Sequence, residues 1–206
     1  LAAPKGGRSG PVRGCYDCHA KAKKEFLARK VVHDPVKKGQ CDPCHRSHGF
    51  AQRLVLAKPA EQLCLECHAD ALKAPAEPHR HPAFAKGDCL ACHDPHSTDR
   101  AHLVRDDSPE NACLACHDAA KAETKLAHAH APFAKGDCSA CHVPHQGTQP
   151  ALLRSADDAL CTGCHALASI DAKHVKTPRS GLKCLDCHAP HASPNAGLLR
   201  TGSHAP

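Results

Sequence analysis

Apolar positions along this chain do not form the stripes from which ordinary domains are built. Alternation of apolar and polar residues over strand length is essentially absent. Stretches rich in Ala and Lys suit short helices by propensity: residues 20–32, 69–76, 118–129 and 166–173, the second broken by Pro75. The 17 Pro and 13 Gly punctuate the rest. Four apolar pairs recur, Leu54-Val55, Leu103-Val104, Leu152-Leu153 and Leu198-Leu199. No apolar run approaches the roughly 18 residues that span a bilayer. The pattern predicts mostly coil with short α-helices and little or no β.

Composition makes that picture puzzling. The chain has 206 residues, of which 19 Leu, 8 Val, 1 Ile and 4 Phe make 32, about 16%. A strongly charged chain below roughly 20% in these residues normally stays disordered. The overall 41% of hydrophobic residues is inflated by 36 Ala and 16 Cys. Trp and Met are absent, so the large side chains that supply most buried area are missing. Either the chain is disordered or something other than amino acids fills its interior. The formal net charge of +6 comes without a Lys/Arg run of five or stacking aromatics, which argues against a nucleic-acid partner. The chain starts at Leu1, so any export signal reads as already removed.

The cysteines resolve the puzzle. All 16 fall into eight C-x-x-C pairs, each followed at once by His. The odd-numbered motifs are Cys15/Cys18/His19, Cys64/Cys67/His68, Cys113/Cys116/His117 and Cys161/Cys164/His165. The even-numbered ones are Cys41/Cys44/His45, Cys89/Cys92/His93, Cys138/Cys141/His142 and Cys184/Cys187/His188. C-x-x-C-H is the attachment signature of c-type haem. Two thiols three positions apart lie on one face of a helical turn, placed to form thioethers with the two vinyl groups of one haem. The adjacent His reaches the iron as proximal ligand. Four all-cysteine zinc sites would leave the eight histidines unexplained, and so would a disulfide framework.

Alternate motifs repeat with a period of about 48 residues, two motifs to a repeat. The repeats divide the chain into a tail at 1–14 and units at 15–63, 64–112, 113–160 and 161–206, the last including a C-terminal tail. Within them Phe84-Ala85-Lys86-Gly87-Asp88-Cys89 recurs as Phe133-Ala134-Lys135-Gly136-Asp137-Cys138. Each even motif carries a further His three positions after the proximal one: His48, His96, His145 and His191. His33, His81 and His130 stand eight residues before an even motif, and His174 ten before Cys184. These eight are the candidate distal ligands. Together with the proximal eight they would close eight bis-His haems, leaving His79, His102, His128 and His204 over. His79 and His128 lie two residues before His81 and His130 and compete with them. A His three positions past the proximal ligand cannot easily reach the far face of its own haem. It is therefore expected to serve a neighbouring one. The apolar pairs read as covers for haem edges or as a small Leu cluster between repeats.

The alternating motifs, with His-x-Pro-His after three of the even ones, resemble the doubled-CXXCH multihaem c-type cytochromes. The resemblance covers roughly residues 15–200 and departs from the pattern at Ser47 and around His174. Related patterns occur in periplasmic cytochromes that thread outer-membrane porins, and extracellular cytochrome filaments pack bis-His haems at similar density. The resemblance implies export, haem attachment outside the cytoplasm, and electron transfer along eight covalently bound haems. It places the protein in the periplasm, at the outer membrane or outside the cell. The implied roles are a subunit of a filament of copies of this chain, a soluble periplasmic electron shuttle between other redox proteins, or a conduit embedded in an outer-membrane porin. The tail at 1–14 has almost nothing to bury and reads as held by a neighbouring subunit. Two axial histidines block substrate access, so an electron carrier is expected rather than an enzyme. The alternative is a multihaem reductase of nitrite, hydroxylamine or a sulfur oxyanion, which would need an open iron site. Eight haems bring up to 16 propionate charges, which would turn +6 into −10.

Overall fold

The computed structural model describes residues 14–46, 55–72, 77–105, 112–174 and 182–202. In chain order the helices are α1 (Cys15–Cys18), α2 (Ala20–Leu27), α3 (Asp34–Lys37), α4 (Ala60–Leu72) and α5 (Pro82–Ala85). They continue with α6 (Asp118–Glu123), α7 (Ala131–Ala134), α8 (Asp157–Thr162), α9 (Leu167–Lys173) and α10 (Cys184–Cys187). Strands of two residues lie between them: β1 (Val31–Val32), β2 (His79–Arg80), β3 (Ser97–Thr98), β4 (His128–Ala129), β5 (Gln146–Gly147) and β6 (Ala192–Ser193). The chain is mostly coil with short helices and little strand. The helices expected at 20–32 and 118–129 stop early, at Leu27 and Glu123, because the chain is then drawn into β1 and β4. The helix expected from 69 starts instead at Ala60 and runs through the third motif, kinking at His68.

Local chemistry accounts for the recurring α3, α5 and α7. Each opens with Pro in its first turn, where the missing N–H costs nothing. Each ends in a glycine at φ 71–73°, Gly39, Gly87 and Gly136. At Gly87 a Cβ would also lie 2.9 Å from the Glu61 carboxylate of α4. That one-turn helix therefore packs closely on the preceding odd motif.

The strands join repeats, not neighbours in sequence. β1 pairs with β3, β2 with β5 and β4 with β6, all antiparallel. Each ladder thus ties one repeat to the next. Among the described residues, those that are buried are Ser97, Thr98, Ala192 and Ser193, all of them in β3 and β6. No side-chain core of ordinary size holds the described residues together.

Candidate functional site

Every even motif is built on one backbone clasp. The proximal His forms a bridge with a residue eleven positions on: His45 with Leu56, His93 with Val104, His142 with Leu153 and His188 with Leu199. The apolar pairs are the return limb of this clasp, and in the first repeat its register is Val55-Leu56, one residue beyond Leu54-Val55. Two hydrogen bonds flank each bridge; at His93 they are Asp94 N–H to Leu103 O and Arg105 N–H to Cys92 O, both 2.9 Å. Arg105, Arg154 and Arg200 then reach back to the carbonyls of Leu90, Ser139 and Leu185 inside the C-x-x-C loops.

The clasp also aims the proximal ring. Nδ1–H of His93, His142 and His188 donates to the carbonyls of His102, Ala151 and Gly197 at 2.8–2.9 Å. Those residues and the leucines after them hold positive φ, 52–67°. For a non-glycine residue this costs on the order of 1–3 kcal/mol. The Nδ1 contact fixes each ring and its tautomer, with Nε2 the nitrogen that would ligate a haem iron. His102, a left-over histidine in the sequence, contributes its carbonyl to this contact. His45 Nδ1 is buried and has no hydrogen-bond partner among the described residues.

Among the described residues the rings of proximal and candidate distal histidines come together in seven pairs. Their centroids lie 5.9–6.1 Å apart: His33–His68, His45–His96, His81–His117, His93–His145, His130–His165, His142–His191 and His174–His188. Two metal–imidazole bonds of about 2.0 Å and two ring half-widths of about 1.1 Å add to about 6.2 Å. The gap therefore fits one iron, and the donors come in twos, as a macrocycle with two axial positions requires. Burial holds His45 and His145 below the usual imidazole range, which favours the neutral, ligating form.

The pairing follows a rule. A His ahead of an even motif meets the proximal His of the next odd motif. The His after an even motif reaches back two motifs, to the even motif of the preceding repeat. That is one motif further than its nearest neighbour. His174 breaks the rule by meeting His188 of its own repeat. The rings that meet His117 and His165 are those of His81 and His130; His79 and His128 sit instead in β2 and β4. The ladders bring distal histidines side by side, with His33, His81 and His130 N–H donating to His96, His145 and His191 O at 2.8–3.0 Å.

His19 is the proximal His of the first motif. It is exposed at the junction of α1 and α2, where its N–H donates to Cys15 O at 2.9 Å and its carbonyl accepts from Lys23 N–H at 3.0 Å. His48, His204 and nearly all of the tail at 1–14 lie outside the described residues.

The sixteen cysteines are unbridged. Within a repeat the first cysteines of the two motifs meet: Cys15 with Cys41, Cys64 with Cys89, Cys113 with Cys138 and Cys161 with Cys184. Between repeats the second cysteines are near enough for the charge of one to act on the other: Cys67 on Cys44, Cys116 on Cys92 and Cys164 on Cys141. Burial, then the neighbouring Cys89, pushes Cys64 up to about 11; burial, then Asp158, pushes Cys184 up to about 12. At Cys113 the hydrogen bond to Cys138 is the leading cause of a rise. The attachment loops of each repeat therefore lie side by side.

Three aromatic residues are not singled out by the sequence pattern. Phe26 stacks on His96 at 4.7 Å, Phe84 on His145 at 4.9 Å and Phe133 on His191 at 4.8 Å. The signal for two of them is the repeated Phe-Ala-Lys-Gly-Asp segment. The arginines of the clasp are legible too, each twelve residues after its proximal His.

Eight attachment motifs with facing histidines define a multihaem c-type cytochrome. The chain belongs to the family described as doubled CXXCH motif, whose model matches residues 33–73, 81–122, 130–169 and 177–205. The first three spans each contain one whole histidine pair, His33–His68, His81–His117 and His130–His165. The chain is also 27% identical over 96 residues to a high-molecular-weight cytochrome c of Nitratidesulfovibrio vulgaris strain Hildenborough. That match covers 47% of this chain and 16% of the relative. Covalently bound c-type haem and electron transfer follow from the family. Among the described residues no helix is long and apolar enough to cross a membrane.

Proposed function

We propose that this chain carries electrons along one unbranched row of eight bis-His haems, in the order of its motifs, as an exported cytochrome of electron transfer to the cell exterior. The observation that carries the proposal is the seven histidine pairs with ring centroids 5.9–6.1 Å apart. The sixteen recurring histidines of the sequence supply two ligands for each of eight haems. Bound haem supplies a one-electron iron couple at each site. The paired histidines would hold each haem iron from both sides and so leave no position for a substrate, which favours a carrier over a reductase. The first cysteines of the two motifs of each repeat lie side by side, which places their attachment sites next to each other and supports a row rather than a branch. The strand ladders hold the distal ligands of successive sites at fixed separation. Attachment of haem through thioethers supports an exported location, periplasmic, outer-membrane-associated or extracellular, with other redox proteins or further copies of the chain as partners.

Electron paramagnetic resonance of the native protein tests the reading. Eight low-spin bis-His irons, unchanged by nitrite or cyanide, are expected, with a haem-to-protein ratio of eight. A high-spin iron that takes up either ligand would overturn the carrier reading in favour of a reductase. Imaging of the native material decides the working form: filaments, complexes with a barrel protein, or monomers.

A further inference from the structure

The His45–His96, His93–His145 and His142–His191 sites differ in what holds the distal ring. Each distal ring stacks on a phenylalanine at 4.7–4.9 Å, so packing does not separate them. The His93–His145 and His142–His191 sites also share their proximal anchor, a backbone carbonyl 2.9 Å from Nδ1. They diverge at the distal Nδ1. At His191 it lies 2.8 Å from the Glu123 carboxylate, which comes from the end of α6 in the third repeat. No carboxylate meets the His145 ring among the described residues. The position corresponding to Glu123 in the second repeat, six residues after the proximal His, is Ala74. At the His45–His96 site Asp94 lies 3.2 Å from His96 Nδ1, but the same oxygen already accepts the His96 backbone N–H at 2.8 Å.

A carboxylate that accepts from an axial imidazole fixes its tautomer and makes the ligating nitrogen more basic. A more basic ligand, with a negative charge behind it, favours the ferric over the ferrous state. We infer that Glu123 is a positioning residue that holds His191 through Nδ1 and makes the His142–His191 site harder to reduce than the otherwise matched His93–His145 site. The row would then contain a low-potential step at its sixth position, set by one side chain outside both ligands' own motif. This inference rests on the bis-His reading above.

The test uses the fully haem-loaded protein and its Glu123→Gln variant, with potentials resolved by redox titration followed in both absorption and electron paramagnetic resonance. With haem content and low-spin signatures unchanged, one potential is expected to rise by roughly a tenfold change in equilibrium, about 59 mV for one electron. The other seven should stay in place. A variant in which no potential moves overturns the inference. The companion variant His191→Met separates the two readings. Loss of one bis-His signal in it, with no shift in Glu123→Gln, leaves the ligand pairing intact and removes only the role of Glu123. Eight bis-His signals retained in His191→Met would overturn the pairing itself, and the role of Glu123 with it.

Discussion

The histidines divide by what their spacing could reveal. A proximal His is identified by the two cysteines before it, because thioether chemistry demands that local arrangement. A distal His is identified only by recurrence, and its partner is invisible in the sequence. His81 and His79 are equally recurrent, yet it is the His81 ring that is paired with His117, while His79 is committed to the β2 backbone ladder. Replacing His81 by Ala should therefore leave one of eight haems without a sixth ligand, giving one high-spin iron that binds carbon monoxide. His79→Ala should leave all eight spectra unchanged. Electron paramagnetic resonance and carbon monoxide titration of the two variants check this. The clasp residues His102, Ala151 and Leu152 were illegible for another reason: they act through carbonyl groups and backbone angles, which the side-chain pattern does not encode.

Short elements carry this fold because each is pinned from outside. The one-turn helix α5 has far too few residues to be stable alone, since helix nucleation is costly. It persists because Pro82 presets its first turn, Gly87 closes it at φ 73°, and its end packs on α4. Gly87→Ala meets both the left-handed angle and the Glu61 side chain 2.9 Å away. A loss of about 1–2 kcal/mol is expected in chemical denaturation of the holoprotein. The ladder of β1 with β3 is pinned by Asp99, which accepts from Lys30 N–H at 3.0 Å and from Arg29 at 2.7 Å. These contacts, the Lys30 N–H first, hold the Asp99 carboxyl below its ordinary 3.8. A depressed carboxylate stabilises the fold above its unfolded value and loses that contribution as pH falls through the folded one. Protection of the Lys30 amide from hydrogen exchange should thus hold at about pH 5 and fade below about pH 4. In Asp99→Asn it should be weak at both. The early ends of α2 and α6 belong to the same scale. Ala/Lys propensity favoured longer helices, and cross-repeat strand pairing outweighed a few tenths of a kcal/mol per residue.

For the whole molecule, the missing large side chains are the dominant fact. The buried residues described are small and polar or alanine, far short of the apolar area needed to offset the entropy of ordering this chain. Chain produced without haem should be unfolded, with a coil-like far-ultraviolet circular dichroism spectrum and no cooperative thermal transition. The holoprotein should melt cooperatively. What could be read from residue order was whatever depends on neighbours a few positions apart: the attachment motifs, the two-motif period, the haem-filled interior and the scarcity of sheet. Covalent chemistry and local sterics act at that range, so spacing records them. The three-dimensional arrangement settled what joins residues far apart in the chain. It showed which histidines face each other, that the His after an even motif reaches back a full repeat, and that Glu123 stands behind His191. Those contacts depend on how successive repeats stack, through two-residue ladders and thiol edges too short to leave a periodic trace in the chain.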